Sequence, residues 1–265
     1  MEKAIIYQIF TRLFGNTNTT RKHNGTLTDN GCGKLNAFTP AVLRRIKELG
    51  ATHVWYTGVI RHATTTDYTR YGIPRQHPAV VKGNAGSPYA ITDYYDIDPD
   101  PATNVEKRMN EFESLVKRTH KAGLKMIIDF VPNHVARQYK STAKPKGIAD
   151  FGENDNTGMQ FSPQNNFYYC PEQSFAADID LYHGEELPYE EFPAKATGND
   201  CFGNRPGRND WYETVKLNYG VDYCDAGGVS THFSPTPDTW KKMLDILLFW
   251  AGKGVDAFRC DMAEM

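Results

Sequence analysis

Near its C-terminal end the chain reads Gly254-Val255-Asp256-Ala257-Phe258-Arg259-Cys260-Asp261. Val255 to Asp261 has the make-up of a buried strand. Side chains alternate along a strand, so Ala257, Arg259 and Asp261 share one face and Phe258 and Cys260 the other. An arginine and an aspartate on an inward face are costly to bury without partners. A neighbouring guanidinium also lowers the pKa of a carboxylate and keeps it ionised. An ionised, held carboxylate is what a nucleophile attacking an anomeric carbon requires. The same pair would serve equally well as a structural cap on one layer of a sheet, and spacing alone does not choose. A second stretch, Met126-Ile127-Ile128-Asp129-Phe130-Val131-Pro132-Asn133-His134, sets a carboxylate late in a buried strand and two polar side chains just beyond it. Asp129 there wants a cation, and Arg259 on the adjacent strand is expected to supply it. A lone histidine is more often a satisfied structural residue than a catalytic one. His134, however, lies at the same rim as the Arg259–Asp261 pair, which favours a functional reading.

The elements that must position these groups follow from periodicity. Lys3 to Phe10 reads as a strand buried on both faces. After a Gly/Asn/Thr-rich loop, Thr39-Pro40 supplies an N-cap and first-turn proline; Val42, Leu43, Ile46 and Leu49 fall at helical spacing before Gly50. Thr52 to Ile60 reads as a second strand, followed by a long loop to Pro88. Val105, Met109, Phe112, Leu115, Val116 and Thr119 form the stripe of a second helix closed by Gly123, and Lys125 to Pro132 is the third strand. From Asn133 to Ser234 no helical period is sustained; a structureless loop of that length is improbable, so an inserted small domain is expected. Thr236-Pro237-Asp238 opens a helix carrying Met243, Leu244, Leu247, Leu248 and Trp250, and Val255 to Asp261 is the fourth strand. Alternating strands and helices predict a parallel sheet wrapped by helices. Pattern alone leaves a doubly wound sheet and an eight-fold barrel open, although no Gly-x-Gly-x-x-Gly follows the first strand. In a barrel, active-site groups gather at the carboxyl ends of the strands, where Asp129, Asn133, His134, Arg259 and Asp261 fall.

Composition narrows the function classes. The 265 residues carry 30 Lys+Arg against 32 Asp+Glu, which leaves no basic footprint for nucleic acid. The longest apolar run, Ile246 to Ala251, is far too short to cross a bilayer. Five cysteines are scattered, with no pair at metal-ligand spacing. Free thiols in a reducing compartment are therefore expected, and a cytoplasmic location with them. The N-terminus lacks the pattern of a secretory signal, though a chain whose signal had been removed would read the same.

Four segments together resemble a known family. Asp129-Phe130-Val131-Pro132-Asn133-His134 looks like the first signature region of the α-amylase family (glycoside hydrolase family 13). Gly254 to Asp261 looks like its second region, Gly-x-Asp-x-Phe-Arg-x-Asp. Tyr89-Ala90-Ile91-Thr92-Asp93-Tyr94-Tyr95 is similar to the stretch before the family's second barrel helix, and Ile6 to Arg12 resembles its opening strand. The resemblance implies an α/β fold, a (β/α)8 barrel with only about the first four βα units present. Residues 1–132 would be the first part of the barrel, 133–234 an inserted domain after strand 3, and 235–265 the barrel's continuation. It implies that Asp261 is the nucleophile of a covalent glycosyl intermediate and that Arg259 holds it ionised while hydrogen-bonding Asp129. His134 would contact sugar hydroxyls, and Tyr89 would stack on the sugar face, as a pyranose C–H face suits an aromatic ring.

The pattern also departs from the family. In Val215-Lys216-Leu217-Asn218, Lys216 stands where many amylases carry an aspartate that helps bind a structural calcium, and a cation cannot ligate calcium. Some family members with lysine there act on small maltooligosaccharides or cyclic dextrins. Glu264-Met265 replaces the Lys-His pair frequent in endo-acting amylases. No cofactor is required on this reading; structural calcium is weakened as an expectation, with Asn133 left as a candidate ligand, and Asn16, Asn18 and Asn24 after the first strand are read as a polar turn in preference to a second ion loop. The family's general acid, a glutamate at the end of strand 5, is not found in these residues. The chain alone is therefore expected to be inactive and poorly soluble, with the C-terminal part of the same barrel as its missing partner. The expected function is retaining hydrolysis of α-1,4-glucans or maltooligosaccharides. An α-glucan transglycosylase and a non-catalytic binding or accessory relative are the alternatives.

Overall fold

The computed structural model describes residues 3–177 and 187–265. Four parallel strands form its central sheet in chain order: β1 (Ile6–Phe10), β2 (His53–Thr57), β3 (Lys125–Phe130) and β4 (Ala257–Cys260). Three helices cover one face: α1 (Pro40–Glu48), α2 (Arg108–Lys121) and α3 (Asp238–Gly252). Thr39 caps α1 through the Val42 N–H, with Pro40 at the first position. The even-numbered side chains Val54, Tyr56, Met126 and Ile128 face the helices and join Leu43, Ile46, Phe112, Leu115 and Trp250 in one core. The opposite face carries the chemistry. Gln8, Trp55, Ile127 and Ala257 stand in one register row, and Asp129 stands opposite Arg259 in the next.

The strands are shorter than periodicity suggested, for local reasons. The second strand stops at Thr57 because Gly58 turns the chain at φ +77, and a Cβ there would press on Pro88 at 3.1 Å and Phe10 at 3.3 Å. The third stops at Phe130, shortly before Pro132, which has no N–H to donate. Ile91–Ile97, expected only as a stretch before the second helix, is a strand pairing antiparallel with Ile60–His62. All seven of its residues are buried, so no alternation marks it in the sequence. Its acids hold a buried ion network. Arg61 meets Asp93 at 3.0 Å and Asp96 at 2.9 Å, and Arg108 at the start of α2 meets Asp96 at 2.7 Å. The α3 indole of Trp250 donates to the Tyr94 carbonyl at 2.8 Å, locking that helix onto the same strand.

Between Asn133 and Ser234 the chain forms short antiparallel pairs, His134–Ala136 with Thr214–Lys216 and Tyr169–Cys170 with Ala194–Lys195 among them. Apolar side chains stay exposed towards both ends of the sheet: Ile6 and Tyr7 on β1, and Trp240, Leu244 and Leu248 on α3. Among the described residues no helix is long and apolar enough to cross a membrane. In the first loop, Asn16 and Asn18 accept backbone N–H groups two residues on, the geometry of a polar turn.

Candidate active site

β4 delivers Asp261 to the rim of the sheet. Its backbone N–H donates to the Phe130 carbonyl at 2.8 Å, extending the β3–β4 ladder by one residue. The next residue, Met262, sits at φ +49, a left-handed conformation that side chains other than glycine rarely adopt and that turns the chain away just after the carboxylate. Asp261 is 7 % exposed, and its carboxylate accepts a short, charge-assisted hydrogen bond from Arg259. The guanidinium lies between two rings, 5.3 Å from the centre of Trp55 and 5.5 Å from Tyr89, close enough for cation–π attraction.

The structure corrects one expected contact. Asp129 takes its hydrogen bonds from the Trp55 indole and the Gly58 backbone N–H, each at 3.0 Å, and Arg259 turns to Asp261 instead. The two strands do bring Arg259 and Asp129 opposite each other. The indole and the tight turn at Gly58 satisfy both oxygens of Asp129, which leaves the guanidinium free to hold the outer carboxylate. Burial pushes the Asp129 carboxyl up to about 6, against the pull of the Gly58 and Trp55 hydrogen bonds and the Arg259 charge. Asp129 thus lies beneath the site as a support.

His134 is 3 % exposed and packs edge-on against Trp211 at 5.4 Å. Burial pushes its imidazole down to about 4, and Lys216 and Lys82 push the same way while Asp261 opposes them. At neutral pH the ring is uncharged and suited to hydrogen-bonding hydroxyl groups. Tyr89, His134 and Asp261 line one cleft of about 210 Å³, and Lys82, Trp211 and Glu213 line it too. Sequence reasoning missed these three because they lie in irregular segments without periodicity. Trp55 was legible in principle, since alternation along β2 sets it on the face of Gln8 and Ile127.

Asn133 lies behind the cleft. Its amide donates to the Gly198 carbonyl at 2.7 Å, and its Oδ1 accepts from the Lys216 ammonium at 2.8 Å. Lys216 is 2 % exposed; the same ammonium meets Asp200 at 2.5 Å and the Met265 carbonyl at 3.0 Å. One protein cation thus gathers three oxygens from the end of β3, the segment after it and the turn following Asp261. These residues do not fit a calcium ion, because the ammonium already fills the place between the oxygens. Among the described residues no group of three or more His, Cys, Asp or Glu side chains could hold a metal.

Comparison with known proteins shows the family to which the chain belongs. The family model described as Alpha amylase, catalytic domain, matches residues 8–265. The chain is 25 % identical over 264 residues to a trehalose-6-phosphate hydrolase of Bacillus subtilis (strain 168), covering 100 % of this chain and 35 % of the relative. It is 24 % identical over 270 residues to maltase A2 of Drosophila melanogaster, covering 98 % and 35 %. The chain therefore spans about a third of the length of these curated relatives. Among solved structures it is similar in fold to an α-amylase from Geobacillus thermoleovorans complexed with acarbose. The TM-score is 0.50 at 20 % identity, covering 99 % of this chain and 41 % of that one.

Proposed function

Since the chain belongs to the α-amylase catalytic-domain family, we propose that it carries the nucleophile's side of a retaining glycoside hydrolase acting on α-1,4-glucans or maltooligosaccharides. The observation that carries the reading is the Asp261 carboxylate, held by Arg259 at the mouth of a cleft that Tyr89 and His134 also line. Relatives named as a maltase and a trehalose-6-phosphate hydrolase support α-glucosides as the substrate class. In the reaction, an Asp261 oxygen bonds to the anomeric carbon as the glycosidic C–O bond breaks, and a carboxylic acid on the opposite face gives its proton to the leaving oxygen. Water, activated by that same carboxylate, then displaces Asp261 and releases the sugar with its original anomeric configuration. Arg259 holds the nucleophile in place through its charge-assisted hydrogen bond, His134 binds sugar hydroxyls, and the Tyr89 ring packs on the pyranose face. No cofactor enters these steps. Two carboxyl groups about 5 Å apart are needed for retention, and the proton donor on this reading comes from the part of the relatives' length that the chain does not span. The 265 residues alone would accordingly be inactive.

The test uses the full-length protein with 4-nitrophenyl maltooligosaccharides. Hydrolysis with retention of configuration is expected, together with loss of at least ~10³-fold in kcat for Asp261→Asn, the scale seen when a covalent nucleophile is removed. A slowly released fluorinated α-glucosyl fluoride should label the peptide bearing Asp261. Turnover that survives Asp261→Asn, or inversion of configuration, would refute the assignment.

A further inference from the structure

We propose that Glu213, paired with Lys82, is a substrate-recognition residue of the cleft and accepts a hydrogen bond from a hydroxyl of the bound sugar. This rests on the glycoside reading above. The Glu213 side chain is only 4 % exposed, and the residue lines the same cleft as Asp261, Tyr89 and His134. One carboxylate oxygen, Oε1, meets the Lys82 ammonium at 2.9 Å. The other, Oε2, is buried and has no hydrogen-bond partner among the described residues. Buried carboxylate oxygens are ordinarily satisfied, and an exception beside a nucleophile calls for a donor that arrives with the ligand.

The backbone around Glu213 is held firmly. Its carbonyl accepts from the Arg137 N–H at 2.9 Å, and the Arg137 side chain donates to the Tyr212 carbonyl at 2.7 Å and meets Glu191 at 2.7 Å. The segment is therefore preorganised, and the freedom in the pair belongs to Lys82. That side chain is 45 % exposed, with its ammonium 5.9 Å from the centre of the Tyr212 ring. In the closed pair Oε2 is buried without a donor; as Lys82 swings outward, a sugar hydroxyl reaches Oε2 and donates to it. An acceptor on the inner side and a flexible cation on the outer side match neighbouring hydroxyls of a neutral sugar, one donating to Glu213 and the next accepting from Lys82.

The experiment measures binding and kinetics in the full-length protein. In an Asp261→Asn background, calorimetric titration with acarbose should give a Kd about tenfold weaker for Glu213→Gln, the scale of one hydrogen bond to a charged group. With Asp261 intact, the same change should fall on KM for 4-nitrophenyl maltooligosaccharides far more than on kcat; a merely structural role would lower kcat and thermal stability together. Lys82→Met, on the solvent side of the pair, should weaken acarbose by about threefold. It decides the matter if Glu213→Gln fails to fold. Unchanged Kd and KM in the folded variants would overturn the inference while leaving the glycoside reading intact. A parent protein that neither binds acarbose nor hydrolyses any α-glucoside overturns both.

Discussion

Replacing Lys216 with aspartate removes the ammonium that ties Asn133, Asp200 and the Met265 carbonyl together, and sets a carboxylate among three oxygens. Breaking a buried ion pair costs about 3–5 kcal/mol because the remaining groups stay desolvated. The Asp200 side chain is 40 % exposed and can turn to water, so the lower end, about 3 kcal/mol, applies. For a domain of this size each kcal/mol moves Tm by roughly 2–4 °C, so Lys216→Asp in EDTA should melt about 6–12 °C below the parent. The same substitution completes an oxygen set of the kind calcium takes: two carboxylates, an amide carbonyl and a backbone carbonyl. Calcium at a hundred times its Kd then returns about 2.7 kcal/mol, or roughly 5–11 °C. Thermal melts in EDTA and in millimolar calcium chloride measure both effects, with Lys216→Met as the variant that loses the ammonium and gains no ligand. The reasoning fails if Lys216→Asp in EDTA melts within about 2 °C of the parent, or if the parent itself gains stability from calcium.

Other perturbations test the support beneath the cleft. Asp129 has its folded pKa raised to about 6 from an ordinary 3.8. The unfolded chain therefore ionises first, and folding stability falls by up to about 3 kcal/mol as pH rises from 4 to 6. His134, lowered to about 4 from 6.5, acts in the opposite sense: its contribution, about 3 kcal/mol, is lost as pH falls from 6.5 to 4. The two slopes largely cancel in the parent, so urea midpoints between pH 4 and 7 should rise with pH in Asp129→Asn, where His134 acts alone, and fall with pH in His134→Asn, where Asp129 acts alone. Profiles parallel to the parent's would contradict the burial argument. Arg259→Lys keeps the charge but loses the planar group between Trp55 and Tyr89; kcat should drop about 10²-fold, as for a misplaced catalytic group, and an unchanged kcat would show that the charge alone suffices. A Cβ at Gly198 would lie 2.6 Å from the Thr214 hydroxyl and 2.8 Å from the His134 Cβ. Gly198→Ala should thus cost about 1–3 kcal/mol in chemical denaturation and raise KM by moving His134. Full stability and KM would show that the loop yields.

The amino-acid sequence by itself determined the strand–helix order, the alternation that puts Arg259 and Asp261 on one face of β4, and the rim position of Asn133 and His134. These are local properties, set by side-chain period and by Gly and Pro punctuation. They survive any rearrangement that keeps the strands in place. Which acid Arg259 holds was decided only in three dimensions. Register puts Asp129 opposite Arg259, yet Trp55 and the turn at Gly58 satisfy Asp129 from a different strand, so the guanidinium is free for Asp261. The Ile91–Ile97 strand stayed hidden because burial on both faces erases alternation. Lys216 was legible as a departure from a calcium ligand, but its three oxygens come from segments distant in the chain. Only folding brings them within hydrogen-bond reach. The same holds for Glu213 and Lys82, whose nearness to Asp261 depends on where two irregular segments close over the sheet.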